Sequence, residues 1–307
     1  MKTSRYETNV FSQPRLVGAV LSAPLPSWMR PPKGRRVFLV GLGTNHHAAR
    51  IAAWHWRQAG LDAEAWHSFD FTLQPPRLRR GDLAVFLSHR GSKSFTLQAE
   101  TLARRAGIET AILTGAASPW KTTPRRVETG PMEDIGAFTQ SFTTTMAWLM
   151  RWAGASALLA PFRRMDASLR WGPRFPSVRP DTDLVLIGDG PREWVAREAA
   201  LKLQEAAYLR ARAFGLEEFL HGPRISVGVG SVVVGFSSRR QPRWKAVRRY
   251  LATIETAFTE AAGEDWLAQV LWAQRFTLEC CRRLNIDPDL LRADDPRYRR
   301  AREALEL

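Results

Sequence analysis

The 307-residue chain has a formal net charge of +15, from 45 lysines and arginines against 30 aspartates and glutamates, and 45% of its residues are hydrophobic. This length and apolar content predict two ordinary globular domains and exclude a largely disordered chain. The basic residues are scattered, with no long basic tail and no zinc-ligand spacing, so a dedicated nucleic-acid function is disfavoured. An anionic small substrate accounts for the charge equally well.

Neither the N-terminus nor any apolar run indicates export or membrane insertion. Residues 1–15 contain no apolar signal core, and the longest apolar stretch, 138–160, is interrupted by Gln140 and Arg151. The adjacent Cys280 and Cys281 are poorly placed for a disulfide and fit buried thiols. We expect a cytoplasmic protein with no membrane association.

The first half of the chain alternates predicted strands and helices. An arm at 1–35 precedes the strand and glycine turn RVFLVGLGT, followed by a helix over 46–58. DAEAWHS and DLAVFLSHRG then read as strands, SFTLQAETLARRAG as a helix, TAILTG as a strand and 135–154 as a helix. This alternation predicts a parallel sheet with helices on both faces, over 36–155.

A proline-rich linker at 156–182 precedes a second unit, 183–307, which begins in the same way. DLVLIGDG is a strand ending in glycines, PREWVAREAALKLQEAAYLRA a helix and SVVVGFSS a strand, with helices at 244–262 and 266–284. The two strand–glycine–helix openings stand about 145 residues apart, as in a repeated fold. The predicted class is α/β, with two flavodoxin-like three-layer sandwiches, the second trimmed.

Turns at the ends of two predicted strands have the composition of an anion site. Backbone N–H groups and a helix N-terminus converge at each turn, and ligands of parallel sheets bind at the carboxyl ends of strands. A solvated turn is the alternative for each turn taken alone. GLGTNH has His46 where a dinucleotide fingerprint has its third glycine, which makes a Rossmann dehydrogenase the weaker interpretation. The candidate ligand-binding residues are Gly43, Thr44, Asn45, Ser88, His89, Arg90 and Lys93.

The helix after the second glycine turn holds charged residues on one face. Glu198, Lys202 and Glu205 fall within an arc of roughly 60°, and most of the remaining circumference is apolar. Buried charges are costly unless they are paired or used. A structural Glu198–Lys202 pair is one possibility, which leaves Glu205 as a free base. His221, in an HGP turn, can titrate near neutral pH, although a lone turn histidine is more often incidental.

These motifs resemble the tandem sugar isomerase (SIS) domain family, which includes the isomerase half of glucosamine-6-phosphate synthase. NVFSQP and LGTN echo two of its short motifs, and 88–93 and 137–143 correspond to its phosphate loop and following segment. EAALKLQEAAYLRARAFGLEEFLHGP is similar to its glutamate–lysine helix and His-Gly-Pro turn.

The resemblance implies two SIS-type units and roles for particular residues. Glu205 takes the position of the base that moves a proton between sugar C1 and C2, and His221 that of the ring-opening histidine, supplied across a homodimer interface. Lys202 is implied as a neighbouring active-site residue, and Thr139 joins the phosphosugar contacts. No metal or other cofactor is implied.

Three departures from the family limit what is carried over. The 307 residues include no glutaminase motif, so we expect no glutamine-dependent synthesis. Arg90 and Lys93 replace hydroxyl residues of the phosphate loop, and Phe138 replaces a serine. The C-terminal segment, residues 286–307, has no lysine that could form a Schiff base. We predict an isomerase or deaminase of a hexose 6-phosphate or amino-sugar 6-phosphate; the alternative is a non-catalytic phosphosugar sensor.

Overall fold

The computed structural model describes residues 3–170, 172–238 and 240–304 of the chain. They form two compact units. The N-terminal unit comprises Ser12–Asp134 and Thr139–Asp166. The C-terminal unit comprises 3–11, Ile135–Phe138 and the described residues from Ala167 onward.

The N-terminal unit alternates strands with helices. An 18-residue helix, α1 (Arg5–Ser22), forms within the predicted arm; its last residues, from Ser12, belong to this unit. The elements that follow are β1 (Arg36–Gly41), α2 (Thr44–Gln58), β2 (Asp62–His67), α3 (Ser68–Leu73), β3 (Leu83–Leu87), α4 (Ser94–Arg105), β4 (Glu109–Thr114), β5 (Arg126–Glu128), α5 (Gln140–Trp152), a 3₁₀ turn (Ser156–Leu159) and α6 (Ala160–Arg163).

The sheet of this unit is parallel, with strand order β2-β1-β3-β4-β5. All five residues of β3 are buried, as expected for a parallel strand covered on both faces. The chain leaves β1 towards β2 and leaves β3 towards β4. Crossovers between parallel strands are right-handed as a rule, which places α2 and α4 on opposite faces and a crevice between the carboxyl ends of β1 and β3.

The C-terminal unit is built in the same manner with fewer strands. Its elements are α7 (Met165–Arg170, from Ala167 onward), β6 (Asp183–Gly188), α8 (Arg192–Ala206), β7 (Ala211–Gly215), α9 (Leu216–His221), a 3₁₀ turn (Pro223–Ser226), β8 (Ser231–Phe236), α10 (Arg243–Thr253), β9 (Ala257–Glu260), α11 (Trp266–Arg283) and α12 (Pro296–Glu303). The four-stranded parallel sheet has the order β7-β6-β8-β9, so β6 and β8 occupy the positions that β1 and β3 have in the first sheet.

Each unit requires a glycine where its first strand enters its helix. A Cβ at Gly41 would lie 2.6 Å from the backbone carbon of Asn45, and one at Gly188 would lie 2.1 Å from the backbone oxygen of Arg192. The helix N-terminus can approach the strand end this closely only because neither residue has a side chain.

Two parallel sheets flanked by helices confirm the predicted α/β class. Several predicted helix ends were wrong. The helix predicted from 135 begins at Gln140. The helix predicted to run to Ala211 ends at Ala206, because the chain turns at Tyr208 (φ 56°) and enters β7. The helix predicted to 262 ends at Thr253, before β9. These strands are short and lie at or near sheet edges, where burial imposes little hydrophobic pattern.

Candidate functional site

The β1–α2 turn presents a helix N-terminus without a side-chain cap. Gly43 is the N-cap residue, with φ 56°, and no acidic residue follows in the first turn of α2. Thr44 is buried and Asn45 partly exposed at this end. The positive end of the helix dipole favours an anion at this position, at the crevice between β1 and β3.

The loop after β3 is fixed to the end of β4. The hydroxyl of Thr114 donates to the carbonyl oxygens of Ser88 (2.7 Å) and His89 (3.2 Å), and the Gly91 N–H donates to the Ser88 hydroxyl oxygen (3.2 Å). Arg90 and Lys93 are exposed on this loop, which leads into α4, a second helix without an acidic first turn or side-chain cap. The loop thus provides two cations and an N-terminal dipole at the same sheet edge.

His89, predicted to contact the ligand, has a structural contact. Its side chain is 4% exposed, and Nε2 accepts a hydrogen bond from the backbone N–H of Glu133 at 2.8 Å. Burial, with a smaller contribution from the Arg90 cation, lowers its pKa from 6.5 to about 4. The imidazole is therefore neutral near pH 7 and joins the β3 loop to the segment before α5.

Thr139, also predicted as a ligand contact, is used in capping α5. The buried carboxylate of Glu133 accepts from the N–H and the hydroxyl of Thr139 (2.9 and 3.2 Å) and from the N–H groups of Gln140 and Ser141. It also accepts from the Ser141 hydroxyl at 2.5 Å. An internal anion therefore occupies the N-terminus of α5. Glu133 could not be identified from the sequence, because capping signals lie at the N-cap and three residues after it, whereas Glu133 stands six residues before the N-cap residue Thr139.

In the C-terminal unit, a carboxylate lies where β6 and β8 end. Asp189 accepts hydrogen bonds from the N–H of Ser238 (2.7 Å), the Ser238 hydroxyl and the indole N–H of Trp244 (3.1 Å). These donors are thus already occupied by an anion of the chain itself. Of the two strand-end crevices, the one between β1 and β3 is the better suited to an external anion.

The charged face of α8 contains the Glu198–Lys202 pair and a second, shorter contact of Lys202 with Glu205. Lys202 Nζ lies 2.5 Å from a carboxylate oxygen of Glu205 and 3.7 Å from one of Glu198. Lys202 therefore pairs with both carboxylates, and Glu205 is hydrogen-bonded to the ammonium group rather than left free by the Glu198–Lys202 pair. Helical spacings of three and four residues both bring side chains into contact, so the sequence could not choose between the partners.

Burial differs sharply among these three side chains. Lys202 is 1% exposed and Glu198 about as deeply buried, whereas 29% of the Glu205 side chain is accessible. Tyr6 of α1 lies near them; burial raises the pKa of its phenol, with smaller contributions from the charges of Cys281, Glu198 and Glu205. Its hydroxyl donates to the backbone oxygen of Gln274 at 3.3 Å. The cluster presents one accessible carboxylate, Glu205, held by a buried cation.

A shallow cavity of about 360 Å³ opens beside Glu205 within the C-terminal unit. Tyr208, at the end of α8, and residues of the C-terminal segment complete its lining. His221 is exposed at the end of α9, in the same unit. Its backbone oxygen accepts from Arg224 at 3.5 Å.

The described residues contain neither a metal-ligand cluster nor a membrane-spanning helix. No three His, Cys, Asp or Glu side chains among them cluster as metal ligands would. No helix in the same residues is long and apolar enough to cross a bilayer.

Comparison with known proteins relates the chain to phosphosugar enzymes. Residues 32–153 match the sequence model of the SIS domain. The chain is 27% identical, over 261 residues, to glutamine–fructose-6-phosphate aminotransferase (isomerizing) of Zymomonas mobilis; the match covers 71% of this chain and 42% of that protein. The chain thus spans less than half the length of this curated relative.

Solved structures show the same fold along nearly the whole chain. Glucosamine-6-phosphate deaminase from Thermotoga maritima superimposes with a TM-score of 0.76 at 17% identity, covering 94% of this chain and 97% of its own. Tagatose-6-phosphate ketose/aldose isomerase from Escherichia coli superimposes with a TM-score of 0.72 at 20% identity. The match covers 93% of this chain and 95% of the isomerase chain. The family match, the curated relative and these folds agree: over residues 32–153 the chain is similar to the SIS domain family.

Proposed function

We propose that this protein binds a phosphosugar and transfers a proton between its C1 and C2 atoms, as an isomerase or a deaminase of a hexose 6-phosphate or amino-sugar 6-phosphate. The accessible carboxylate of Glu205 beside a cavity is the observation on which the proposal rests most directly. The SIS domain match and the uncapped helix at the β1–β3 crevice support a phosphorylated ligand.

The roles follow the chemistry of aldose–ketose exchange. The Glu205 carboxylate removes the proton from C2 of the open-chain aldose, and the C2–H electron pair forms the C1–C2 double bond of an enediol as O1 gains a proton. The carbon-bound proton then returns from Glu205 to C1 as the O2 proton leaves, which gives the ketose. His221 moves a proton between O1 and the ring oxygen, which opens the ring. Lys202 holds Glu205 in place through the 2.5 Å contact. The β1–α2 turn (Gly43, Thr44, Asn45) and Ser88, Arg90 and Lys93 hold the phosphate.

The proposal also includes a second SIS unit, a homodimer and a cytoplasmic location. The four strands β7-β6-β8-β9 repeat the order of the first four positions of the other sheet, and we infer that 183–307 is a shortened second SIS unit. We propose a homodimer in which His221 is supplied to the partner's site. A charged phosphosugar substrate supports a cytoplasmic location.

Turnover measurements with a Glu205→Gln variant test the proposal. Wild type and variant are assayed on glucosamine 6-phosphate, fructose 6-phosphate and a fructosamine 6-phosphate. Loss of a general base lowers turnover about 10²–10⁴-fold while leaving binding largely intact. Glu279→Gln is a matched control, because Glu279 is also 29% exposed and also pairs with a cation, Arg283.

The second candidate, a phosphosugar sensor without catalysis, is favoured by the altered phosphate loop, in which Arg90 and Lys93 replace hydroxyl residues. It predicts that wild type binds these sugars and turns over none of them. Turnover that survives Glu205→Gln unchanged would instead remove Glu205 from the mechanism.

A further inference from the structure

The C-terminal segment forms most of the cavity wall facing Glu205. Leu291, Arg292, Tyr298 and Arg302 line it, together with Tyr208 at the end of α8. All of these residues belong to the C-terminal unit. The Nη2 group of Arg302 donates to the backbone oxygen of Leu291, which attaches α12 to the preceding turn.

The guanidinium of Arg292 makes cation–π contacts with two aromatic rings. Its carbon lies 4.3 Å from the ring centroid of Tyr208 and 4.7 Å from that of Tyr298. The backbone N–H of Arg292 also donates to the Tyr208 hydroxyl oxygen at 2.7 Å. Cation–π contacts of this kind do not use the guanidinium N–H groups, which lie in the guanidinium plane and can still donate hydrogen bonds.

The acidic side chains of this segment bind other partners. Asp295 pairs with Arg297 at 2.8 Å, and Asp289 accepts from the N–H groups of Arg5 and Tyr6. Within the described part of the chain, no carboxylate lies within ion-pair distance of the Arg292 guanidinium. Arg292 is thus a pre-positioned cation at a cavity; its charge acts on Asp295, but in the described residues no carboxylate is in direct contact with its guanidinium.

The backbone around this cation is strained. Tyr208 (φ 56°), Leu291 (φ 46°) and Arg292 (φ 55°) all adopt the left-handed region, which non-glycine residues rarely occupy. Such conformations persist where the surrounding structure enforces them, and they concentrate at ligand-binding sites. The strained residues are Tyr208, just after α8, and the pair Leu291 and Arg292. These positions bring the Arg292 guanidinium against the Tyr208 ring.

We propose that Arg292 is a specificity-determining residue that binds a carboxylate of the ligand beside Glu205. The planar guanidinium matches a carboxylate with two parallel hydrogen bonds, and Lys202 already offsets the Glu205 charge that would repel it. The inference deepens the proposed function and rests on it: the ligand is a sugar phosphate that bears a second anion near its reacting end.

Two sugar phosphates that differ at one end test this assignment. Gluconate 6-phosphate has a carboxylate at C1, and glucitol 6-phosphate has a hydroxymethyl group there. Calorimetric titration of the full chain measures both dissociation constants for wild type, Arg292→Met, Arg292→Lys and the control Arg300→Gln, an exposed residue of the same segment. Arg292→Met weakens gluconate 6-phosphate about 10–100-fold and glucitol 6-phosphate less than about threefold.

The remaining comparisons separate specific recognition from general effects. Arg292→Lys keeps the charge without the planar pair of donors and restores only part of the loss, and Arg300→Gln binds both probes as wild type does. Equal weakening of both probes by Arg292→Met would overturn the carboxylate assignment, since the phosphate would then be the partner. Unchanged gluconate 6-phosphate binding in Arg292→Met, with turnover still dependent on Glu205, would overturn the inference alone. Wild type that binds neither probe would overturn the proposed function with it.

Discussion

The buried imidazole of His89 makes the stability of the protein depend on pH. Its pKa is lowered from 6.5 to about 4, chiefly by burial, so the unfolded chain binds a proton between these values and the folded chain does not. Stability therefore falls as the pH drops from about 6.5 to about 4, by about 1.4 kcal/mol per pH unit for this group. His46, with its pKa also lowered to about 4 by burial, titrates in the same window from a partly exposed position.

Replacement of His89 by glutamine measures how much of the pH dependence of folding stability is due to this imidazole. The amide oxygen can still accept from the Glu133 N–H, while the titrating proton is gone, so the loss of stability with falling pH becomes shallower by up to about 1.4 kcal/mol per unit. Urea unfolding across the window measures the slope, with His221→Gln, at an exposed position, as the control. An unaltered slope in His89→Gln would assign the acid sensitivity to other groups.

At the residue scale, the sequence predicted that the charged residues of α8 share one face, but not which of them are hydrogen-bonded to each other. Helical spacing placed Glu198, Lys202 and Glu205 on one face, as the structure shows. Which carboxylate the ammonium approaches depends on side-chain rotamers and burial, which spacing does not determine. The inward contact of His89 likewise depends on Glu133, 44 residues later in the chain, and local pattern contains no information about such a pairing.

Helix α5 depends at its N-terminus on one buried carboxylate. Glu133 satisfies N–H groups of the first turn that would otherwise be buried without acceptors. Glu133→Gln removes the charge and places an amide donor among donors, so we expect the free energy of unfolding to fall by about 3 kcal/mol.

Chemical denaturation of Glu133→Gln measures that loss. Glu128→Gln, which removes a partly exposed carboxylate paired with Arg126, provides the comparison and should cost less than about 1 kcal/mol. If the two variants lose equal stability, the Glu133 cap contributes no more than a surface ion pair.

Elements were predictable where burial imposed a pattern. The strands β1, β3 and β6 are continuous apolar runs ending in turns, and each was predicted at its observed place. β7 has the sequence ARAFG, with a buried residue only at each end, and follows a helix of strong helix-forming residues without a break signal. Such strands form because they pair with a neighbouring strand. The sequence of the segment alone does not show that this neighbour is present.

At the scale of the whole molecule, the surface after α9 indicates where a second copy would bind. Ile225 and Val229, in the loop that follows His221, are 80% and 85% exposed. Large apolar side chains at such exposure next to a candidate catalytic residue are expected at an interface. This position agrees with the proposed homodimer, in which each chain supplies His221 to its partner.

Mixing two inactive variants tests that arrangement directly. If each site combines Glu205 of one chain with His221 of the other, a heterodimer of Glu205→Gln and His221→Gln contains one site with both changes and one site with neither. Random exchange of subunits makes half of the dimers mixed, so turnover recovers to roughly a quarter of the wild-type value. Unfolding and refolding the variants together, followed by the sugar phosphate assay, measures the recovery, with each variant refolded alone as the control. A mixture no more active than its components would require both residues of a site to come from one chain, because exchange could not then rebuild an intact pair.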